Sequence, residues 1–537
     1  MSTIVPRWTP SNTTTRQEEM LLRRLGKHRK LFAFLYQVRR ELFDDAFQDE
    51  LASMYRDTRE GKPPVAPALL AMAILLQAYT GVSDAEAVEE TVVDLRWQLV
   101  LGVLGAQEPA FGQSTLQAFR DRLIRHDMDR RLLERTVELA RKSQGFDWKK
   151  LPKTLRLAID SRPLEGAGRV EDTLNLLGHA AFKLLRGAAT LLERSAQEIA
   201  ACAGAPVFLA PSVKTGLDVD WFDPEQKATA VVELLRQIDA LEAWIREQAG
   251  PAANEPPLKD LFELIAQLRS QDLEPDPSGG GKPRIREGVA AERRVSIEDA
   301  EMRHGRKSKS KRFNGYKQHI ANDLDTELIL ACSITPANRP EGEGAADLKK
   351  DLARYPERSE LGEVFVDRAY VNSELVQSAT NEGDTVLCRP WSASNGQHFS
   401  KADFKLNMGR RTITCPAGQT EKFVLGQVVE FQPDKCAACP LRPRCTDAKN
   451  DAGRTVRIAQ DEPMQQRFRK LVATPSGRAA LRQRVHVEHR LAHLARKQGP
   501  RARYIGTRKN VFDLRRHAAV LNMEVILRRE AVVTKAA

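Results

Sequence analysis

Residues 153–162 read KTLRLAIDSR. Leu155, Leu157 and Ile159 alternate along the segment, as in a half-buried strand. The run stops on a carboxylate, Asp160, with Arg162 just behind. A second stretch repeats the arrangement. In RSELGEVFVDRAYVNSEL (358–375) a short apolar strand, Val364 to Val366, ends on Asp367, with Arg368 next and a helix expected to follow. A single Asp after a strand is most often a turn former or a helix cap. Two of them make a carboxylate site a candidate, because ligands of open α/β sheets collect beyond strand ends.

Around these two segments the chain changes texture several times. From Thr15 to about Gln144 the pattern is helical, with SDAE at Ser83–Glu86 and STLQ at Ser114–Gln117 reading as capping boxes. The helix opened by Ser114 turns Leu116, Phe119 and Leu123 inward and leaves Gln117, Arg120, Arg122 and Arg125 for other faces. That suits a helix-turn-helix reader of DNA and equally an ordinary bundle helix. Glu171 to Gln271 is again helical, broken by GAPVFLAPSVKTG, and EPDPSGGGKPRIREG (274–288) has the composition of a flexible linker. NGYKQHIANDLDTELILACSITPAN (314–338) predicts two antiparallel strands joined at DLDTE, and DTVLC a further strand.

The 537 residues are 42% hydrophobic and 29% charged, enough for a large core and several units. Eighty-four Lys and Arg against seventy-two Asp and Glu give +12, which suits a polyanion partner. The excess is uneven: Leu481 to Arg529 holds thirteen Lys/Arg and three acids. MSTIVPRWTPSN has no apolar core of a secretory signal, and PALLAMAILLQAYTGV, interrupted by Gln77, reads as a core helix, so no membrane partner is expected. Seven cysteines, four of them between Cys415 and Cys445, suit a reducing cytoplasm.

A pair of hard divalent cations needs more than two carboxylates. RQRVHVEHRLAHLARK (482–497) offers a third on a helix whose apolar positions are Val485, Leu491 and Leu494: its single acid is Glu488, amid Arg482, Arg484, Arg490 and Arg496. Glu488 is either a ligand or a salt-bridge partner. His486, His489 and His493 on the same helix read as phosphate contacts or solvated residues. RHGRKSKSKRFNGYK (303–317), with Arg303, Lys307, Lys309, Lys311, Arg312 and Lys317, suits backbone phosphates or a solubilising loop. Cys415, Cys436, Cys439 and Cys445 have the C-x₂-C knuckle and flanking thiols of a zinc site, the alternatives being free thiols or a redox pair at Cys436/Cys439. Arg442 and Arg444 beside them are candidate DNA contacts. Cys202, Cys332 and Cys388 are isolated and expected in the core.

Asp160, the VDRAY Asp367 and RVHVE together resemble the DDE transposases of bacterial insertion sequences, whose Arg-x₃-Glu motif is met by Arg484 and Glu488. The resemblance extends to GYKQHIANDLDTELI, ITPAN, RYIGTRKN and the leader GKPPVAPALLAMAILLQAYTGVSDAEAVE. Residues 171–299 match poorly and look like an insertion. Three departures stand out: Leu481 replaces a common Tyr, Ala495 replaces a Lys for which Arg496 or Lys497 are candidates, and ITPAN continues to RPEGEGA without the usual Asp.

The resemblance implies an α/β catalytic core, a ribonuclease H-like mixed sheet with flanking helices. It also implies an all-α N-terminal domain, a helical insertion and a small Cys-rich insertion. The expected division is 1–148 (helical, DNA-binding), 149–172 (first core strand), 173–299 (helical insertion and linker), 300–408 (core), 409–450 (Cys-rich) and 451–537 (C-terminal core helices). Asp160, Asp367 and Glu488 would bind two Mg²⁺ (or Mn²⁺), Arg484 would meet a phosphate or orient Glu488, and Zn²⁺ would be structural. Double-stranded DNA would be the partner, as element ends and as target, with Arg496, Lys497 and Lys509 among the contacts. A homodimer on paired ends and a nucleoid-associated place in a bacterial cytoplasm follow by the same logic. The alternatives are a catalytically silent transposase-derived DNA-binding protein and a hydrolytic nuclease on the same fold.

Overall fold

The pairing of one long strand, β1 (Leu155–Glu165), sets the plan of the protein. We describe it from a computed structural model covering residues 5–56, 62–275, 283–308, 310–355, 360–449 and 452–536. A mixed, curled sheet of six strands contains β1, β2 (Arg303–Arg306), β3 (Arg312–Asp323), β4 (Ile329–Pro336), β5 (Leu361–Phe365) and β6 (Thr385–Leu387). β3 lies antiparallel to β1 on one side, and on its other edge carries β2 and then β4. β5 is parallel to β1, and β6 parallel to β5.

The antiparallel β3–β4 pair turns at DLDTE as expected, and Glu327 there takes a positive φ of 65°. β1 corrects one expectation. Its apolar alternation breaks at Asp160, yet the strand runs on to Glu165 because β3 pairs with it from Leu157↔Asp323 to Glu165↔Gly315. Asp160 is therefore inside a strand, not at its end. In its described residues the basic stretch 303–317 is largely strand and not a loop: β2 and β3 pair antiparallel, and the Lys307 N–H donates to the Lys311 carbonyl at 2.9 Å. Lys309 lies outside the described residues. So do residues 276–282 of the expected linker, whose flanks, 273–275 and 283–285, pair as a small two-stranded ribbon.

Helices fill Arg16 to Lys142. Among them α1 (Pro67–Thr80) is buried on all sides, as an apolar helix must be. α2 (Gln113–Arg125) and α3 (Met128–Lys142) follow. Ser83 and Glu86 form the predicted capping box. Ser114 and Gln117 do not: the helix begins at Gln113 with Gly112 as its cap, so Ser114 falls within the first turn. Downstream, α4 (Glu341–Leu352) packs on β3 and β4, and α5 (Val485–Gln498) on β1, while α6 (Thr507–Ala536) lies against α1, α3 and β4. One apolar core joins the N-terminal helices, the sheet and α6. A second belongs to the helices between Leu174 and Ile297, and a third, Phe404 to Ile458, to the cysteine-bearing segment. Among the described residues no single helix is long and apolar enough to cross a membrane.

Candidate active site

The parallel β1–β5 ladder ends at Ala158 opposite Phe365. Two residues past that last rung on each segment stands a carboxylate, Asp160 and Asp367, so the register brings both to the same end of the ladder. Asp160 stays paired with β3, opposite Ile320, and its Oδ1 accepts from the Ser161 N–H at 2.9 Å. Asp367 leaves the sheet, is exposed, and caps a single 3₁₀ turn, Arg368–Tyr370, with its Oδ1 accepting from the Arg368 N–H at 2.7 Å.

α5 brings in the third acid. Val487, Leu491 and Leu494 are its buried positions. Val485, expected inward, is 40% exposed, because the i, i+4, i+7 stripe starts at Val487. That rotation carries Arg484 and Glu488, one turn apart, over the end of the β1–β5 ladder. Arg484 Nη2 meets Glu488 Oε1 at 2.5 Å and Nη1 lies 3.2 Å from Asp160 Oδ2. Nη1 is nevertheless buried without a well-aligned hydrogen-bond acceptor. The resulting cleft, about 360 Å³, is lined by Asp367, Arg368, Arg389, Arg482, Arg484 and Glu488.

Burial pushes the Asp160 carboxyl up to about 6; Glu488 and Asp367 push the same way, against Arg484 and the Ser161 N–H. Asp160 thus lies within electrostatic reach of the other two acids and carries a burial penalty that a bound cation would offset. Oxygen donors in that state fit a hard divalent cation in kind. Among the described residues, though, no three His, Cys, Asp or Glu side chains are gathered closely enough to hold a metal ion, and Glu488 is turned toward Arg484.

The four cysteines line one cavity of about 550 Å³. Cys415 follows a short strand (Thr412–Thr414), Cys436 lies in a helical turn (Pro433–Ala437), and Cys439 and Cys445 flank a 3₁₀ turn at Arg442–Arg444. Burial raises the Cys445 thiol, and the other three cysteines add to the shift after a lowering by Arg454. Four convergent thiols fit zinc in donor type and number, although they are not drawn into a closed ligand group. Arg442 is not free for DNA, since it donates to the Ala448 and Lys449 carbonyls at 2.7 and 2.8 Å, and Arg444 lies over the Phe399 ring. Of the isolated cysteines, Cys332 and Cys388 are buried as expected, but Cys202 is exposed.

The residues expected to touch DNA divide into two groups. Gln117, Arg125, Lys307, Lys311, Arg312, Arg496 and Lys509 are exposed. Arg120 is not available: it is buried against Asp84 at 2.8 Å and the Tyr504 hydroxyl at 3.2 Å. Arg122 stacks on Tyr55, Arg303 donates to the Ala300 carbonyl, Lys317 to the Arg339 carbonyl, and Lys497 pairs with Glu524. His486, His489 and His493 are exposed on α5. Sequence reading missed Arg389 in the cleft. Its only signal is its place directly after the DTVLC strand.

Residues 414–527 match the family model of a transposase DDE domain, and residues 23–122 that of a transposase domain (DUF772). No curated protein and no solved structure matches the chain. Together with a mixed sheet and a cleft lined by acids and arginines, these matches, each over one part of the chain, support a transposase. Within that class they support a DDE-type insertion-sequence transposase. The DDE match includes Arg484, Glu488 and the four cysteines but stops short of Asp160 and Asp367, which rest on the ladder geometry.

Proposed function

We propose that the protein binds the terminal inverted repeats of an insertion sequence and catalyses divalent-cation-dependent DNA cleavage and strand transfer, with Asp160, Asp367 and Glu488 as the ligand set. The observation that carries this reading is the register of β1 and β5, which sets Asp160 and Asp367 in step beneath Arg484 and Glu488. The strand order, an antiparallel group on one side of β1 and parallel strands on the other, supports a ribonuclease H-like core. Two Mg²⁺ or Mn²⁺ ions, when bound, would activate the attacking oxygen and stabilise the leaving one.

The chain's own part is positioning and charge. Asp160 and Asp367 are held by backbone N–H groups before substrate arrives, so little reorganisation is left for the reaction itself. Arg368, Arg389 and Arg482 line the cleft where a phosphodiester would lie, and guanidinium groups suit its oxygens. Arg484 bridges Asp160 and Glu488, and exchanging one of these carboxylates for a phosphate would keep its guanidinium paired. We read the four-cysteine segment as a structural zinc module, the working form as a homodimer on paired ends, and the location as a bacterial cytoplasm, at the nucleoid.

The test uses the full chain, supercoiled plasmid and a labelled duplex with a free 3′-hydroxyl. Mg²⁺-dependent nicking and joining, both lost in Asp367→Ala, are expected. Nicking without joining would make the protein a hydrolytic nuclease. A second reading, a silent DNA-binding protein, draws on the Arg484 bridge that already ties up Asp160 and Glu488. DNA binding with no cutting by wild type or variant would favour it.

A further inference from the structure

Beneath the two aspartates lies a buried chain of hydroxyls around one imidazole. His319 Nδ1 is 2.6 Å from the Tyr370 hydroxyl and Nε2 is 2.9 Å from Thr335 Oγ1. The His319 and Tyr370 rings meet edge to face at 5.9 Å. His319 and Tyr370 each connect to the candidate site. His319 is the β3 partner of Ser161, the residue after Asp160. Tyr370 closes the turn that Asp367 caps, its N–H donating to the Asp367 carbonyl at 3.0 Å.

The packing is specific to this arrangement. A Cβ on Gly344 of α4 would fall 2.5 to 2.7 Å from three atoms of the His319 ring, so the glycine leaves the space the imidazole occupies. Burial drives His319 down to about 3, and a neutral ring has one N–H and one lone pair to share between the two hydroxyls. Every polar atom of the ring is then satisfied without a charge.

We propose that the Thr335–His319–Tyr370 relay is a positioning device that fixes the spacing of Asp160 and Asp367, and through it the affinity of that pair for a divalent cation. The inference rests on the reading of these aspartates as ligands. Partners that hydrogen-bond a metal ligand directly typically change metal affinity by about ten- to a hundredfold; this relay acts one step further back, through the backbone of Ser161 and Tyr370. Tyr370→Phe deletes one oxygen and keeps the ring, and Thr335→Val frees the far nitrogen.

The measurement is Mn²⁺ binding to the full chain, followed by the electron paramagnetic resonance of free Mn²⁺, beside the melting temperature of the metal-free protein. Wild type is expected to bind and Asp367→Ala to lose binding. Tyr370→Phe is expected to bind about tenfold more weakly, at a temperature well below its melting transition, and Thr335→Val to shift in the same direction. Wild-type affinity in Tyr370→Phe would overturn the positioning role and leave the carboxylate site intact. Absence of binding by wild type, or unchanged binding in Asp367→Ala, would overturn the carboxylate site and the relay with it. Should Tyr370→Phe fail to fold, Thr335→Val decides by the same criterion.

Discussion

Asp160 and Asp367 are neighbours by register: each stands two residues beyond the last rung, Ala158 with Phe365, of a single parallel ladder. Asp160 is held within the sheet, whereas Asp367 stands just past the end of β5, at the start of the 3₁₀ turn it caps. Arg484 reaches across from α5 and serves as the cation for Asp160 and Glu488 in the protein alone.

Removing that cation should expose the repulsion it masks. We expect metal-free Arg484→Ala to be about 1–2 kcal/mol less stable than wild type at pH 8, with a smaller deficit at pH 5 as carboxylates protonate. Added Mg²⁺ should raise the melting temperature of the variant more than that of wild type. Thermal scans at both pH values check this, and an unchanged deficit at pH 5 would count against a carboxylate origin.

Asp160 itself should cost stability near neutrality. Its folded-state value, about 6, lies above the ordinary 3.8, so the folded protein holds the proton more tightly than the unfolded chain. The contribution is most favourable below pH 3.8 and is lost as pH rises toward 6, the full penalty being at most about 3 kcal/mol. Metal-free Asp160→Asn should be more stable than wild type above pH 6 and equal to it near pH 4. Denaturant titrations in chelator across that range would show the crossover; equal stability at pH 8 would refute the burial argument.

Two glycines of α4 should respond in opposite senses. Gly344→Ala drives a methyl into the His319 ring and should destabilise by about 1–3 kcal/mol. At Gly342 the nearest atoms, at 3.4 Å, are in ordinary contact, so alanine should be neutral or gain up to about 1 kcal/mol of helix propensity. Midpoints of chemical denaturation compare them directly.

If the cysteine module holds zinc, its thiols should be masked. Cys202, exposed, should react at once with a thiol reagent, and Cys415, Cys436, Cys439 and Cys445 only after chelation, with Cys332 and Cys388 waiting for unfolding. Burial places the Cys388 thiol up at about 12, which adds to its inertness. Full reactivity of the four module thiols in freshly purified, zinc-replete protein would rule out the site.

What could be read from the sequence was local. Alternation alone located β3 and β4, and the VFV run located β5 to within a few residues. The continuation of β1 past Asp160 was hidden because its stabilising partner, β3, begins some 150 residues later. Arg120 failed for the same reason: a guanidinium on a helix face looks like a DNA contact until Asp84 and Tyr504 arrive to bury it. His319 did leave a trace, as the one imidazole in the run HIAND, and Thr335 lies in the same predicted strand pair, but Tyr370 comes from a segment 51 residues away.

The joint core also bears on how such a protein can be made and dissected. Arg508 at the start of α6 pairs with Asp129 of α3, 379 positions earlier, and α6 covers the apolar faces of α1 and α3. On the ribosome the first helices must wait through most of translation for the wall they pack against. An N-terminal fragment cut free for study would carry that bare wall into solution, where self-association is its readiest refuge.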